Sequence, residues 1–494
     1  MILRLFRIRG GVHPPEHKHP TASRPIEACP LPARLYVPLQ QHIGAPAEPV
    51  VQVGEKVLKG QLIGHAQGPV SAPVHAPTSG TVTTIAPHAA PHPSGLPVVC
   101  VTIEPDGEDR WESAPAETDP FLLTPREIGE RVAAAGIVGM GGAAFPSAVK
   151  LGAATRTPIH TLIINGGECE PYLTCDDRLM RERAVEVIDG VRIMLHGTQA
   201  TRALIAIEEN KPSAIRELKR AARIDERVMV VRIPALYPMG SEKHMIQTLT
   251  GRELPPGRLP ADLGLIVHNV ATAFAVHRAV RFGRPLVSRI VTVGGGALRE
   301  PRNREVLIGT PIEDLVEYCG GFAEEPARLL MGGPMMGQVI PWNAPVVKGT
   351  SGVIALTREE IHIGETRACI RCGRCVSACP VGLMPLEMAS RIRADQFDGA
   401  VDHGLNDCIS CGSCAFVCPA SIPLVQFFNF AKGELVARKT AQDKSQVLKL
   451  MAEQRQARLE REAREKAEAA ARKKAEREAA KRAEQEAAAR ETGT

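Results

Sequence analysis

Aromatic residues are scarce in this 494-residue chain: they make up 3% of it, with Trp 2, Tyr 4 and Phe 11. So few rings leave little material for a base-stacking surface, and no nucleic-acid partner is expected. Charge of one sign is lacking too. The formal net charge is +5, too small over this length to call for a polyanionic partner. Long hydrophobic runs are also absent. The most apolar window, 264–280, is interrupted by His268, Asn269, His277 and Arg278, so no membrane-spanning segment is expected. The first ten residues place Arg4, Arg7 and Arg9 among the apolar ones and offer no small-residue cleavage site, unlike a signal peptide.

The chain is instead organised around cysteine. Eight of its 13 cysteines stand in two runs: Cys369, Cys372, Cys375 and Cys379 before Pro380, and Cys408, Cys411, Cys414 and Cys418 before Pro419. Two complete C-x2-C-x2-C-x3-C-P runs are the bacterial ferredoxin pattern for a pair of [4Fe-4S] clusters, the fourth cysteine of each run serving the other cluster. Cluster one is therefore expected to take Cys369, Cys372, Cys375 and Cys418, and cluster two Cys408, Cys411, Cys414 and Cys379. Each fourth cysteine is expected to start a helix, with the proline turning the chain. Structural zinc, which uses four ligands in two pairs, fits eight in two quartets poorly. Cys29, Cys100, Cys169, Cys175 and Cys319 are scattered, in keeping with a reducing cytoplasm.

Upstream, the chain reads as several domains. Residues 1–115 are rich in Pro and Gly with short β-branched runs, resembling the two halves of a biotinyl or lipoyl carrier, a barrel-sandwich fold. The stretch Gln61 to Val74 holds no lysine, so a structural module is expected instead of a swinging arm. His13, His17 and His19 lie in a proline-interrupted tract that reads as an extended, solvated segment. From about residue 120, helices and strands alternate. Thr124-Pro125-Arg126-Glu127 is a capping box opening a helix. Gly139, Gly141 and Gly142, with Lys150 beyond, form a loop that is either a phosphate cradle or a tight structural turn. The strand Thr161 to Asn165 ends in Glu168 and Glu170, at the strand edge where open α/β sheets place ligands; a solvated turn is the alternative there.

Three of these segments resemble the flavin and NADH loops of the complex I 51-kDa flavoprotein family: Gly139-Met-Gly-Gly-Ala-Ala-Phe-Pro146, Asn165-Gly-Gly-Glu-Cys-Glu-Pro171 and Val267-His-Asn-Val-Ala-Thr272. The resemblance implies FMN and NAD(H) binding at Gly139, Gly141, Gly142, Phe145, Lys150, Asn165, Glu168, Glu170, Asn269 and Thr272. The chain departs from that family at Met140, Ala144, Gly167, Ser241, His268 and Ala271. Gly10 to Lys18, Glu168 to Arg178, Tyr237 to Lys243 and Gly332 to Gly337, with the paired cysteine runs, resemble the RnfC family of Rnf (or Rsx) electron transport complexes over roughly residues 1–432.

The resemblance implies a multidomain α/β plus β fold. Its expected parts are a barrel-sandwich domain (1–115), a Rossmann-like FMN/NADH domain (116–283), a β-grasp SLBB domain packed without ligand (284–345), a double [4Fe-4S] ferredoxin domain (360–432) and a charged, helical or disordered tail (433–494). It further implies an NADH-linked electron-transfer subunit of an ion-translocating complex. That subunit would sit peripherally on the cytoplasmic side of the inner membrane and have membrane subunits, NADH and ferredoxin as partners. An adaptor wire without flavin is the alternative. The helix read at Leu386 to Phe397 is expected to dock the clusters against the flavin domain or a partner.

Overall fold

The computed structural model describes residues 4–91, 96–113, 117, 119–155, 157–361 and 364–491. The boundary expected at 115/116 and the last three residues of the tail lie outside the described residues.

Two small antiparallel sheets form the barrel sandwich. One contains Leu35–Pro38, Val98–Pro105, Gly80–His88 and Lys56–Val57; the other contains Glu48–Pro49, Leu62–His65 and Val74–His75. Their alternating inward residues, among them Leu35, Val37, Ile63, Val82, Val101 and Ile103, are fully buried, as the two-residue period of a strand requires.

The next domain is a four-stranded parallel sheet in the order Val228–Ile233, Arg202–Glu208, Thr161–Gly166, Leu265–Asn269. The chain leaves Thr161–Gly166 toward one edge and returns to its other side for Leu265–Asn269. That reversal makes a topological switch point between the two strands, where such sheets hold ligands. The helix Pro125–Ala134 carries the expected capping box of Thr124 and Glu127.

A six-stranded sheet follows in the order Ile26–Ala28, Arg302–Leu307, Ser288–Gly294, Gly352–Leu356, Arg328–Met331, Gln338–Val339, with the helix Ile312–Glu317 beside it. Cys319 is fully buried in its core, as expected of a small apolar residue. The edge strand Ile26–Ala28 comes from the N-terminal segment, which has already crossed two other modules. Phe6 N–H donates to Thr248 O at 2.9 Å, and Gly11 N–H donates to Ala378 O at 3.0 Å.

In the ferredoxin part, the helices Arg374–Ala378 and Ser413–Phe416 precede the fourth cysteines; they do not follow them. The prolines explain the difference. A residue before proline is driven out of the α region, and Cys379 accordingly caps its helix with φ −68° and ψ 115°. The tail is one helix, Leu424–Glu491, exposed from Val436 onward.

Candidate functional site

Asn165 and Asn269 are paired in register at the carboxyl ends of the two strands flanking the switch point. Asn269 accepts the Ala271 N–H at 2.8 Å, starting the helix Val270–Phe282. Its amide donates to Asp176 Oδ2 at 2.6 Å. Asn165 donates to Gly240 O at 2.7 Å and accepts Gly167 N–H at 2.9 Å, which shapes the turn that follows the strand.

The glycine loop closes over this edge. Gly139 N–H donates to Phe145 O at 2.7 Å, and Val138 bridges Pro146. Gly142 has φ +106° with open space around it, a conformation suited to glycine. Ala144, at φ +45°, holds a left-handed position where the complex I family has glycine. The peptide of Met140 is gripped from both ends. Its N–H donates to Thr272 Oγ1 at 3.0 Å, and its carbonyl accepts from Arg289 Nη2 at 3.0 Å.

Below the loop lies a cleft of about 330 Å³ whose walls include Gly139, Gly141, Phe145, Lys150, Asn165, Glu168, Glu170 and Asn269. That volume lies within the range of small-molecule sites. Two of the ten residues expected for flavin and NADH stand apart from the lining: Gly142 faces outward and Thr272 is fully buried behind Met140. The Lys150 ammonium lies 2.8 Å from Glu242 Oε2 and 3.1 Å from Val267 O. Glu168 turns its carboxylate onto the N–H groups of Asp176 (2.7 Å) and Asp177 (3.2 Å), capping the helix Cys175–Glu182. Glu170 accepts the Met335 N–H at 3.0 Å, so it ties the strand-end turn to the 332–337 loop of the β-grasp module. Burial, chiefly, pushes the carboxyls of Glu170 and Asp176 up to about 7, with the Glu168 carboxylate adding to the effect at Asp176.

The cleft suits FMN and a nicotinamide nucleotide in three respects. It has a glycine rim that lets a phosphate approach backbone N–H groups, a lysine on its wall, and Phe145 as a flat apolar surface.

The eight cysteines fall into two groups. Cys369, Cys372, Cys375 and Cys418 line one cavity of about 120 Å³, and Cys379, Cys408, Cys411 and Cys414 line another of about 30 Å³. Each quartet thus mixes three cysteines of one run with the fourth of the other. Amides point at the sulfurs: Leu383 N–H to Cys379 Sγ at 3.3 Å and Ser410 N–H to Cys408 Sγ at 3.4 Å. Such N–H groups are among the levers that set cluster potential, so the donor sets fit [4Fe-4S] centres. Surroundings differ sharply. The Cys379 quartet is walled by apolar residues with no charged side chain, whereas Cys369 and Cys372 are exposed.

The Cys408 loop meets the cleft directly, since Ile409 and Cys411 form part of its wall. Tyr237 donates its hydroxyl to Cys411 O at 2.6 Å, and His244 Nε2 lies 3.2 Å from Pro380 O. Gly10 and Gly412 permit the contact: a Cβ on Gly10 would lie 2.6 Å from Cys379 O, and one on Gly412 would lie 2.9 Å from Met335 O. Docking therefore uses the cluster loops. The helix Pro385–Arg393 buries Met388, Ala389 and Ile392 within the ferredoxin core.

The 10–18 segment also differs from its expected solvated state. His13, His17 and His19 are exposed, but Val12 pairs with Tyr237. Lys18 donates to the carbonyls of Glu168 and Leu173, both at 2.7 Å. Glycine and a long cationic arm serve packing here, which composition alone does not reveal. Arg289 also escapes the sequence reading, although strand alternation puts it on the inward face with Val291 and Val293.

Family models match in the same order. They are the RnfC barrel sandwich hybrid domain over residues 6–108, the Nuo51 FMN-binding domain over 132–278, the SLBB domain over 290–339 and the 4Fe-4S dicluster domain over 368–422. The RnfC-type subunit of the ion-translocating oxidoreductase complex of Rhodobacter capsulatus is 53% identical over 89% of this chain and 85% of its own length. The chain belongs to the RnfC family. The corresponding subunit of the Clostridium ljungdahlii proton-translocating ferredoxin:NAD(+) oxidoreductase complex is 43% identical over 87% of this chain and 94% of its own. The Pseudomonas aeruginosa relative, from an ion-translocating oxidoreductase complex, is 46% identical over 94% of this chain and 60% of its own. A solved NAD+-reducing [NiFe]-hydrogenase in its H2-reduced state aligns with 66% of this chain and 68% of that one, at 17% identity and TM-score 0.46. With an FMN-binding domain and a dicluster domain on one chain, this RnfC-family member is an oxidoreductase that transfers electrons. Among the described residues no helix is long and apolar enough to cross a membrane.

Proposed function

We propose that this subunit takes electrons from NADH, or returns them to NAD+, at the cleft below the glycine loop. It exchanges them with the rest of an ion-translocating ferredoxin:NAD+ oxidoreductase complex. When bound, FMN supplies the exchange between hydride pairs and single electrons, and the iron-sulfur clusters carry those electrons singly.

The residues divide the work. The amides of the glycine loop and Lys150 hold phosphate groups. Phe145 offers its face to a planar ring, and Asn165 and Asn269 fix the two strand ends so that the cleft keeps its shape. The eight cysteines hold two [4Fe-4S] clusters in the crossed arrangement. Its place is peripheral, on the cytoplasmic face of the inner membrane, with membrane subunits and ferredoxin as downstream partners.

The observation that carries this reading is the shared wall: Gly139 and Lys150 at one end of the cleft, Ile409 and Cys411 at the other. The order laid out by the fold is cleft, then the Cys408 quartet, then the exposed Cys369 quartet. Releasing flavin from purified, reconstituted protein and then bleaching the cluster absorbance with NADH tests it. Stoichiometric FMN and full bleaching are expected. Protein that bleaches with NADH in the absence of flavin, or that holds none, would return the chain to the role of an adaptor wire.

A further inference from the structure

The two quartets end in very different surroundings. The Cys379 quartet is covered by the flavin domain through Tyr237 and His244, and by the N-terminal segment through Gly11. The Cys369 quartet opens outward, and Ile370 beside it is 70% exposed.

Around that opening the charges are mostly of one sign. Residues 364–374 and 387–393 hold five arginines (Arg367, Arg371, Arg374, Arg391 and Arg393) against the glutamates Glu365 and Glu387. All five arginines are exposed. Arg371 and Arg393 line the cavity itself, where no carboxylate stands. Arg371 is 74% exposed and reaches Glu387 only at 4.0 Å, and among the described residues Arg374 and Arg393 have no carboxylate within salt-bridge distance. A [4Fe-4S] centre on four thiolates is itself anionic. Two guanidiniums at the cavity offset that charge, and the outer arginines leave a basic rim around an exposed apolar tip.

We propose that this rim, Ile370 with Arg371, Arg374 and Arg393, is the docking face for a redox partner with an acidic surface around its own metal or flavin centre. The inference rests on the reading that the Cys369 quartet is the outer end of the electron path. Charge complementarity selects the partner: planar guanidiniums pair carboxylates in a forked geometry. Steering by such a patch raises encounter rates at low salt. Ile370 adds the dry apolar contact that a charged ring by itself lacks.

The test uses the full-length protein with flavin and clusters in place, an acidic two-[4Fe-4S] ferredoxin as probe and a basic cytochrome c as its opposite. Kd is measured by calorimetry at low and high salt for wild type, Arg371→Glu/Arg393→Glu and Arg371→Lys/Arg393→Lys. The ferredoxin is expected to bind wild type in a salt-dependent way, to bind the charge-reversed protein about 10-fold or more weaker, and to keep most of its affinity for the lysine pair. Equal affinity of wild type for cytochrome c, or a ferredoxin Kd unmoved by charge reversal, would overturn the docking face. So would reversal that abolishes only binding to anionic lipid vesicles. NADH bleaching of the same samples separates the two layers. If reversal weakens ferredoxin binding but NADH bleaches nothing, the basic face stands and the electron path from the cleft fails.

Discussion

The hydroxyl of Tyr237, from the flavin domain, lies 2.6 Å from the carbonyl oxygen of Cys411 in the second cysteine run. This bond joins the wall of the cleft to a cluster loop across 174 positions of sequence. Tyr237→Phe would leave a buried carbonyl without its donor, at a cost of about 1–3 kcal/mol. Faster amide hydrogen exchange is expected across 408–418, with slower passage of electrons from flavin to clusters. Flavin reduction by NADH should keep its wild-type rate. Unchanged exchange in this loop would show that the bond does not hold the domains together.

Crossed ligation predicts paired losses. Cys379→Ser should remove the spectroscopic signal of the Cys408 cluster, and Cys418→Ser that of the Cys369 cluster, since each lines the cavity of the other run. Electron paramagnetic resonance of the reduced variants reads this directly. Loss of the signal belonging to the mutated run instead would mean uncrossed ligation.

Arg289 reaches from the β-grasp sheet to the Met140 carbonyl at 3.0 Å and is only 3% exposed. It lies close enough to Asp176 for their charges to interact. Arg289→Met should loosen the glycine loop and weaken FMN binding about 10-fold, roughly 1.4 kcal/mol, while both clusters assemble normally. Fluorescence titration with FMN measures it, and an unchanged Kd would show that the loop holds its shape unaided.

Lys348 joins three modules. Its buried amine donates to Pro73 O of the barrel sandwich and to Gly136 O of the flavin domain, both at 2.7 Å. Burial pulls its pKa down from the ordinary lysine value to about 7, and a neutral amine keeps two hydrogens for those two carbonyls. Between pH 7 and the ordinary value, the unfolded chain binds the extra proton, so stability rises with pH in that window. In Lys348→Met that rise should flatten, and at pH 9.5 the variant should be less stable by about 1–3 kcal/mol through its unpaired carbonyls. Thermal unfolding at pH 7 and 9.5 checks both. Parallel pH slopes for the two proteins would place the titration elsewhere.

Much of this architecture is legible in the chain because its signals are local. Cysteine spacing names the two quartets, the Thr124 to Glu127 box opens its helix, and Thr161 to Asn165 reads as a buried strand. What stays hidden depends on residues distant in sequence. Tyr237 carries no local mark of its contact with Cys411, and Lys18 looks like part of a solvated tract because its carbonyl partners lie 150 and 155 positions away. The flavin loop residues stand out as a set, but their hydrogen bonds do not. Glu168 is spent on a helix end and Glu170 on the 332–337 loop, arrangements that only the folded chain defines. Arg289 can be found from strand parity, since a charged residue in an inward position demands buried partners.

The central claim is the order of the path: cleft, Cys408 quartet, Cys369 quartet. Freeze-quenched electron paramagnetic resonance after mixing with NADH tests it most directly, comparing wild type with Cys408→Ser and Cys369→Ser. The Cys369→Ser protein should still reduce the cluster of the Cys408 quartet at the wild-type rate, whereas Cys408→Ser should leave the cluster of the Cys369 quartet oxidised while the flavin is reduced. Reduction of the Cys369 cluster at the wild-type rate in Cys408→Ser would contradict the account.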